Sequence, residues 1–237
     1  MEEIKYPVRI NKYLAFKKYA SRREADELIR RKVVKINGRI AKLGDKVYES
    51  DKVEAGKLTL ERLERLAYFA YNKPRGIVTH TPEEDQKSIR DAVNVGVPVF
   101  PLGRLDRASR GLIILTNDGR ITDRLLNPKF EHEKEYVVKV NKPLEKHFLR
   151  HLASGIEIEG YKTKPAKVKQ LHENIFSIAI TEGKKHQLRR MCAAFGYGVV
   201  DLQRVRIMNI KLKNLKEGEF RQLKEEELSK FLNTLGL

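Results

Sequence analysis

Apolar positions along the chain change period several times, and each change marks a different element. Ile10, Tyr13, Leu14 and Lys17 fall at helical spacing, so residues 9–18 are expected to form a short amphipathic helix. Ser21-Arg22-Arg23-Glu24 has the form of a capping box, and Ala25, Leu28 and Ile29 supply the apolar stripe of a second helix. Residues 33–36 then run into Asn37-Gly38, the dipeptide best suited to a tight hairpin. Leu58, Leu60, Leu63 and Leu66 alternate with charges, so residues 55–66 are expected to be a linker that packs on a neighbouring domain. Further on, strands are predicted at 67–71, 77–79, 112–115, 135–140, 166–171, 175–181 and within 199–212. Helices are predicted at 120–126, 144–153, 187–195 and 225–232, with Gly155 and Gly196 in stop positions. The mixture lacks βαβ regularity. It predicts an α+β fold, with a largely antiparallel mixed sheet and flanking helices.

Charge adds a second observation. The 237 residues carry 49 Lys+Arg against 32 Asp+Glu, a net charge of +17. Between Lys5 and Lys46 alone there are 14 basic and four acidic residues. A thermophile's charged surface would balance the signs, so the excess points to a polyanion, and nucleic acid is the commonest. Arg22 and Arg23 stand at a helix N-terminus, where cations oppose the helix dipole; an approaching anion accounts for them better than solvent does. One cysteine excludes a disulfide framework and a Cys-rich zinc module. No apolar run reaches the roughly 20 residues of a spanning helix, and the charged N-terminus lacks a signal core. The expectation is a cytoplasmic protein without membrane contact, by default a monomer.

Candidate chemistry is sparse. The phosphate-binding glycine loops of ATP and dinucleotide enzymes are missing. His147 and His151 are spaced for a shared ligand, but no third ligand accompanies them, and solvated helix positions are the better reading. Cys192 lies between Met191 and Ala193 and reads as a packed thiol. Asp106 differs: it sits in a loop between two glycines with Arg104, Arg107 and Arg110 around it. Such a carboxylate is expected to be anionic, hence able to serve as nucleophile or base, although spacing alone favours a turn or helix-cap role.

Two resemblances resolve these alternatives. RINKYLAFKKYASRREADELIRRKVVKINGRIAKLGDKV resembles an S4 RNA-binding domain. This implies that residues 7–54 form such a unit, with the second helix and the hairpin facing RNA. GRLDRASRGLIILTNDG resembles the signature loop of the RsuA/RluB/RluE/RluF family of RNA pseudouridine synthases. NKPRG, EKEYVVKV and GKKHQLRRMCAAFGY resemble that family's other motifs, in the family's order, and RVRIMNIKL is most similar to its RluF branch. Two departures stand out. Ala108 and Arg110 replace acids usual in the loop, and EGKKHQ carries two lysines where uncharged residues are frequent.

The resemblance implies a catalytic domain over 67–237. Its activity would be isomerisation of uridine to pseudouridine with no cofactor or metal. The expected substrate is ribosomal RNA, 23S first, with 16S rRNA and tRNA as alternatives. By the same resemblance Asp106 attacks either C1′ of the ribose or C6 of the base. Tyr136 stacks on the uracil or takes a proton, Arg189 pairs with the aspartate, and Arg104 fills the gap left by the extruded base. RNA contacts are expected from Arg104, Arg107, Lys12, Arg22, Arg23, Lys35, Lys73, Arg75 and Lys185. A non-catalytic RNA-binding or ribosome-assembly factor would share the charge but not the Asp106–Tyr136–Arg189 set. A glycoside hydrolase would need two carboxylates across the scissile bond.

Overall fold

A computed structural model describes residues 4–17, 19–55, 66–80 and 82–237. Ten of the twelve positions expected to form the linker, 56–65, including Leu58, Leu60 and Leu63, lie outside the described residues. Leu66 packs half-buried against the apolar cluster that contains Tyr68 and Phe231.

The N-terminal unit opens with strand β1 (Val8–Arg9) and helices α1 (Ile10–Phe16) and α2 (Arg22–Arg30). Ser21 Oγ accepts the Glu24 N–H while the Glu24 carboxylate accepts the Ser21 N–H, so the expected capping box is formed. Strands β2 (Val34–Ile36) and β3 (Arg39–Ile40) meet at Asn37 and Gly38, whose φ values of 50° and 77° are those a tight two-residue hairpin requires. Strand β4 (Lys46–Val47) pairs with β1, and β5 (Val53–Ala55) pairs with β2. Ile10, Leu14, Ala25, Leu28, Ile29, Val34 and Val47 close the core, leaving the basic residues outside.

The larger unit is built on one mixed sheet. Its elements are β6 (Tyr68–Lys73), α3 (Ile89–Ala92), β7 (Phe100–Leu102), β8 (Arg110–Thr116), α4 (Ile121–Leu126), β9 (Lys134–Val140), α5 (Lys146–Ser154), β10 (Glu157–Ile158), β11 (Tyr161–Lys162), β12 (Lys167–His172), β13 (Ile175–Ile180), α6 (Gln187–Ala193), β14 (Val199–Ile207), β15 (Ile210–Lys211), β16 (Phe220–Gln222) and α7 (Glu225–Thr234). Strand order is β12-β13-β9-β14-β8-β6-β16, with β7 on β8 and β15 on β14. Among the described strands of this sheet the β14–β8 pair is the parallel one, and the other pairs are antiparallel. Residues 77–79, predicted as a strand, contribute a single bridge from Val78 to Ser88, because Thr79 turns inward to hold a neighbouring loop.

The continuous apolar run of β8 reflects burial on both faces. Leu112 and Ile114 enter a cluster with Ala70, Ile207 and Phe231, whereas Ile113 and Leu115 enter one with Phe69, Tyr71 and Ile89. At the far half of the sheet Val138, Phe176 and Ile178 pack under Phe148 and Leu152 of α5 and Leu188, Met191 and Cys192 of α6. Helix α6 therefore sits over the half of the sheet formed by β13, β9 and β14.

The two units touch at the turn after β8. There Asp118 is buried and receives bonds from the Tyr68 hydroxyl at 2.6 Å and the Arg120 guanidinium at 2.8 Å. Burial raises the Asp118 carboxyl, but those donors outweigh it and hold it below the usual carboxylate range. The turn so fixed presents Gly119, where an added Cβ would lie 2.6 Å from both Cβ and Oγ of Ser21.

Candidate active site

The loop before β8 is clamped from four directions. Thr79 Oγ1 donates to the Leu105 carbonyl at 2.8 Å and accepts the Leu105 N–H at 3.0 Å. The Gly76 N–H donates to the Arg107 carbonyl at 2.9 Å. Arg189 donates to the Ala108 carbonyl and to Ser109 Oγ, each at 3.2 Å. Arg204 donates to the Leu112 carbonyl at 2.7 Å and to the Arg104 carbonyl at 3.4 Å. Within the loop the Ser109 N–H closes on the Asp106 carbonyl at 2.9 Å. The Asp106 side chain escapes all these bonds and stays 35% exposed, so the carboxylate is presented while its backbone is held.

Gly111 ends this loop. Its φ of 108° is in the region that favours glycine, and an added Cβ would fall 2.3 Å from the Arg204 carbonyl oxygen. The parallel approach of β14 to β8 depends on that missing side chain.

Arg189 does not pair with Asp106. Its nitrogens reach Ala108, Ser109 and the Val199 carbonyl, which ties α6 to the loop rather than to the carboxylate. The side-chain nitrogen at ion-pair distance from Asp106 belongs to His186, with Nε2 at 3.3 Å from Oδ1. Tyr136 stands on β9 opposite Ile178 and Arg204, buried in the same cluster as Leu105 and Leu188. Each of the three expected catalytic residues is thus in that cluster or next in sequence to one of its members, Leu105 preceding Asp106 and Leu188 preceding Arg189.

Lys73 corrects another expectation. Predicted to contact RNA, it is fully buried, with Nζ donating to the Pro74 and Ile77 carbonyls at 2.9 and 2.7 Å. Burial lowers its ammonium to about 8; Asp106 pulls it back up and Arg204 pushes it further down. The lysine shapes the turn beneath the loop from inside. Arg75 is exposed yet bound to the Val200 carbonyl and ion-paired with Asp201. Asp201 also takes Arg110 in two parallel bonds, Nε to Oδ1 at 3.1 Å and Nη2 to Oδ2 at 2.7 Å, and Arg110 reaches Glu217 at 2.9 Å. One carboxylate thereby joins the turn after β6, the end of the loop and β14.

Of the other expected RNA contacts, Arg104, Arg107 and Lys185 are exposed near the loop and α6. Lys12, Arg22, Arg23 and Lys35 are exposed on the N-terminal unit. Cys192 is a buried thiol that desolvation pushes up to about 12. The His147 and His151 rings lie 4.0 Å apart on α5, and among the described residues no group of three or more His, Cys, Asp or Glu converges as metal ligands.

The sequence reading missed three participants. His186 lies inside GKKHQLR, where only the lysines and Arg189 drew notice. Arg204 is in phase with buried Leu202, a cation on the inward face of a strand, which was a legible signal. Asp201 is signalled by nothing in its local pattern, because its partners lie 91 and 126 residues away.

Residues 67–194 match the family model of RNA pseudouridylate synthase, and residues 8–53 match that of the S4 domain. The chain is 43% identical to the dual-specificity RNA pseudouridine synthase RluF of Escherichia coli K12 over 223 residues, covering 93% of this chain and 77% of that one. It is 38% identical to the ribosomal large subunit pseudouridine synthase B of Bacillus subtilis, covering 94% of each. A crystal structure of a pseudouridylate synthase superposes with a TM-score of 0.68 at 31% identity, covering 96% of this chain and 99% of the other.

Proposed function

The chain belongs to the RNA pseudouridylate synthase family and is an S4-bearing RNA pseudouridine synthase; from that premise we propose that it isomerises a uridine of 23S ribosomal RNA, with Asp106 as the attacking carboxylate. The observation that carries the assignment of Asp106 is its presentation: a backbone held by Thr79, Arg189 and Arg204, and a carboxylate left reachable. Preference for the large subunit draws on the similarity to the Bacillus subtilis enzyme.

The reaction balances within one nucleotide. The N1–C1′ bond breaks, the uracil turns, a C5–C1′ bond forms, and the proton lost from C5 is matched by one gained at N1. Asp106 attacks either C1′ or C6, in each case as an anion that leaves again. A uridine inside a stem is first extruded, at a cost of a few kcal/mol. Arg104, exposed at the start of the loop, offsets part of that cost by entering the vacated stack. Tyr136 supplies the ring on which the loose uracil turns, and Arg189 keeps the loop at its working distance. In this reading residues 7–54 form the S4 domain, residues 55–66 the linker and residues 67–237 the catalytic domain. Lys12, Arg22, Arg23 and Lys35 supply phosphate contacts that add affinity and salt dependence without choosing sequence.

The test is tritium release from 5-tritiated 23S rRNA transcripts. Wild type should release tritium, and Asp106→Asn should bind RNA with unchanged affinity while releasing none. Substantial turnover by that variant would remove Asp106 from the chemistry, and release from tRNA or 16S transcripts alone would reassign the substrate.

A further inference from the structure

We propose that His186 is a positioning residue for the reaction: its imidazole fixes one oxygen of Asp106 and leaves the other to attack. The inference rests on the reading of Asp106 given above. Three observations converge on it. The first is contact: His186 Nε2 is 3.3 Å from Asp106 Oδ1, and among the described residues no other side-chain nitrogen comes within ion-pair distance of that carboxylate. The contact joins two partly exposed side chains, sets Oδ1 against the imidazole, and leaves Oδ2 without a side-chain nitrogen partner among the described residues.

The second observation is backbone conformation. His186 has φ 52° and ψ 26°, the left-handed region that L-residues rarely occupy. It precedes α6 yet makes no side-chain capping bond to that helix. A polar residue at a helix start ordinarily spends its side chain on the helix. Here the side chain is turned across to the loop instead.

The third is the support under that conformation. Glu182 is buried and accepts from Gln187 Nε2, from the Lys164 N–H at 3.0 Å and from the Tyr161 hydroxyl. Gln187 Oε1 in turn accepts the Lys184 N–H at 3.0 Å. The turn 182–187 is therefore fixed from both ends, and an uncommon conformation persists where its surroundings over-determine it. Lys184 and Lys185 precede the imidazole in sequence and are exposed, with Lys184 Nζ over the Tyr161 ring at 4.8 Å from its centroid. The buried Glu182–Gln187 pair thus aims His186, and His186 aims the carboxylate.

The test compares His186→Asn and His186→Gln with wild type in steady-state pseudouridylation of whichever 5-tritiated transcript, 23S rRNA or tRNA, wild type modifies best. Asn tolerates the left-handed backbone but is too short to reach Oδ1. Gln places an amide N–H near the position of Nε2. The expected result is a kcat at least tenfold lower for His186→Asn with KM within twofold, and recovery of a third or more of wild-type kcat by His186→Gln. A wild-type kcat in His186→Asn overturns the proposal. So does a loss confined to KM, which would make His186 an RNA contact, and so does failure of Gln to exceed Asn. Asp106→Asn is run in parallel: turnover by that variant overturns the underlying reading, whereas an inactive Asp106→Asn beside an unimpaired His186→Asn overturns only the role of the histidine.

Discussion

The Arg189 guanidinium and the Ala108 carbonyl are joined at 3.2 Å, two residues past the carboxylate that Arg189 was expected to meet. The same nitrogen also reaches Ser109 Oγ, and the neighbouring nitrogen reaches the Val199 carbonyl. One side chain thus spans α6, the loop and β14. Arg189→Lys keeps the charge but offers a single point of attachment where the fork used separate nitrogens. We expect kcat to fall about ten- to a hundredfold, matching the loss of one or two hydrogen bonds from a charged group. A variant with wild-type tritium release would show that the loop holds without this fork.

Gly111 offers a test of how closely the strands approach. Gly111→Ala places a Cβ 2.3 Å from the Arg204 carbonyl oxygen at a φ of 108°. Relief requires β8 and β14 to part, breaking the pairing that seats the loop. The expected cost is about 1–3 kcal/mol, which for a chain of this size lowers Tm by roughly 3–10 °C. An unchanged melting curve would mean that the two strands can separate without loss.

Asp201 links elements distant in sequence, so its contribution is a coupling rather than a local term. A double-mutant cycle with Arg110→Gln and Asp201→Asn should return an interaction of about 1–2 kcal/mol, above the usual value for exposed pairs because the bonds are bidentate and partly buried. Burial raises the Asp201 carboxyl, but bonds from Arg110 and Arg75 outweigh it and keep it below the ordinary range. Urea midpoints of the four proteins supply the measurement, and strict additivity would deny the link.

Lys73 makes a pH prediction of definite sign. Its ammonium titrates near 8 when folded and near 10.5 when unfolded, so between those values the unfolded chain binds more protons. Wild-type stability relative to Lys73→Met should therefore rise as pH increases from about 8 to about 10.5, and should be flat below 8. Lys134, also lowered to about 8 by burial, is unchanged in both proteins and cancels in the difference. A difference that falls with pH would contradict the buried placement.

The sequence made the local devices legible: the Ser21–Glu24 box, the Asn37-Gly38 turn, the β8 run and the stop at Gly155 are set by neighbours a few residues apart. What it hid depends on distance along the chain. Lys73 looked like a surface cation because its neighbours are a turn and an arginine; its place at the end of β6, paired with Gly111 of β8 and bonded to the Pro74 and Ile77 carbonyls, is what buries it. Arg189 was assigned to the correct helix but the wrong acceptor, since a motif names residues without saying which atom of a loop comes nearest. Two-residue strands such as β4 and β10 are too short to show a period, and their pairing partners alone define them. The motif order also located Asp106 in its loop, while the histidine beside it became visible only when the fold brought the start of α6 to that loop.

The meeting of Gly119 with Ser21 gives the molecule a gauge. The absence of a side chain at Gly119 lets the two units meet there, and atomic contact with Ser21 bars any closer approach at that point. On the proposed reading, one RNA must span from the phosphates gripped near Arg22 to the uridine delivered at Asp106. Transcripts whose folded arm is shorter than that interval would seat one end and miss the other. Selection among uridines would then be made by the dimensions of the substrate, ahead of any base being read.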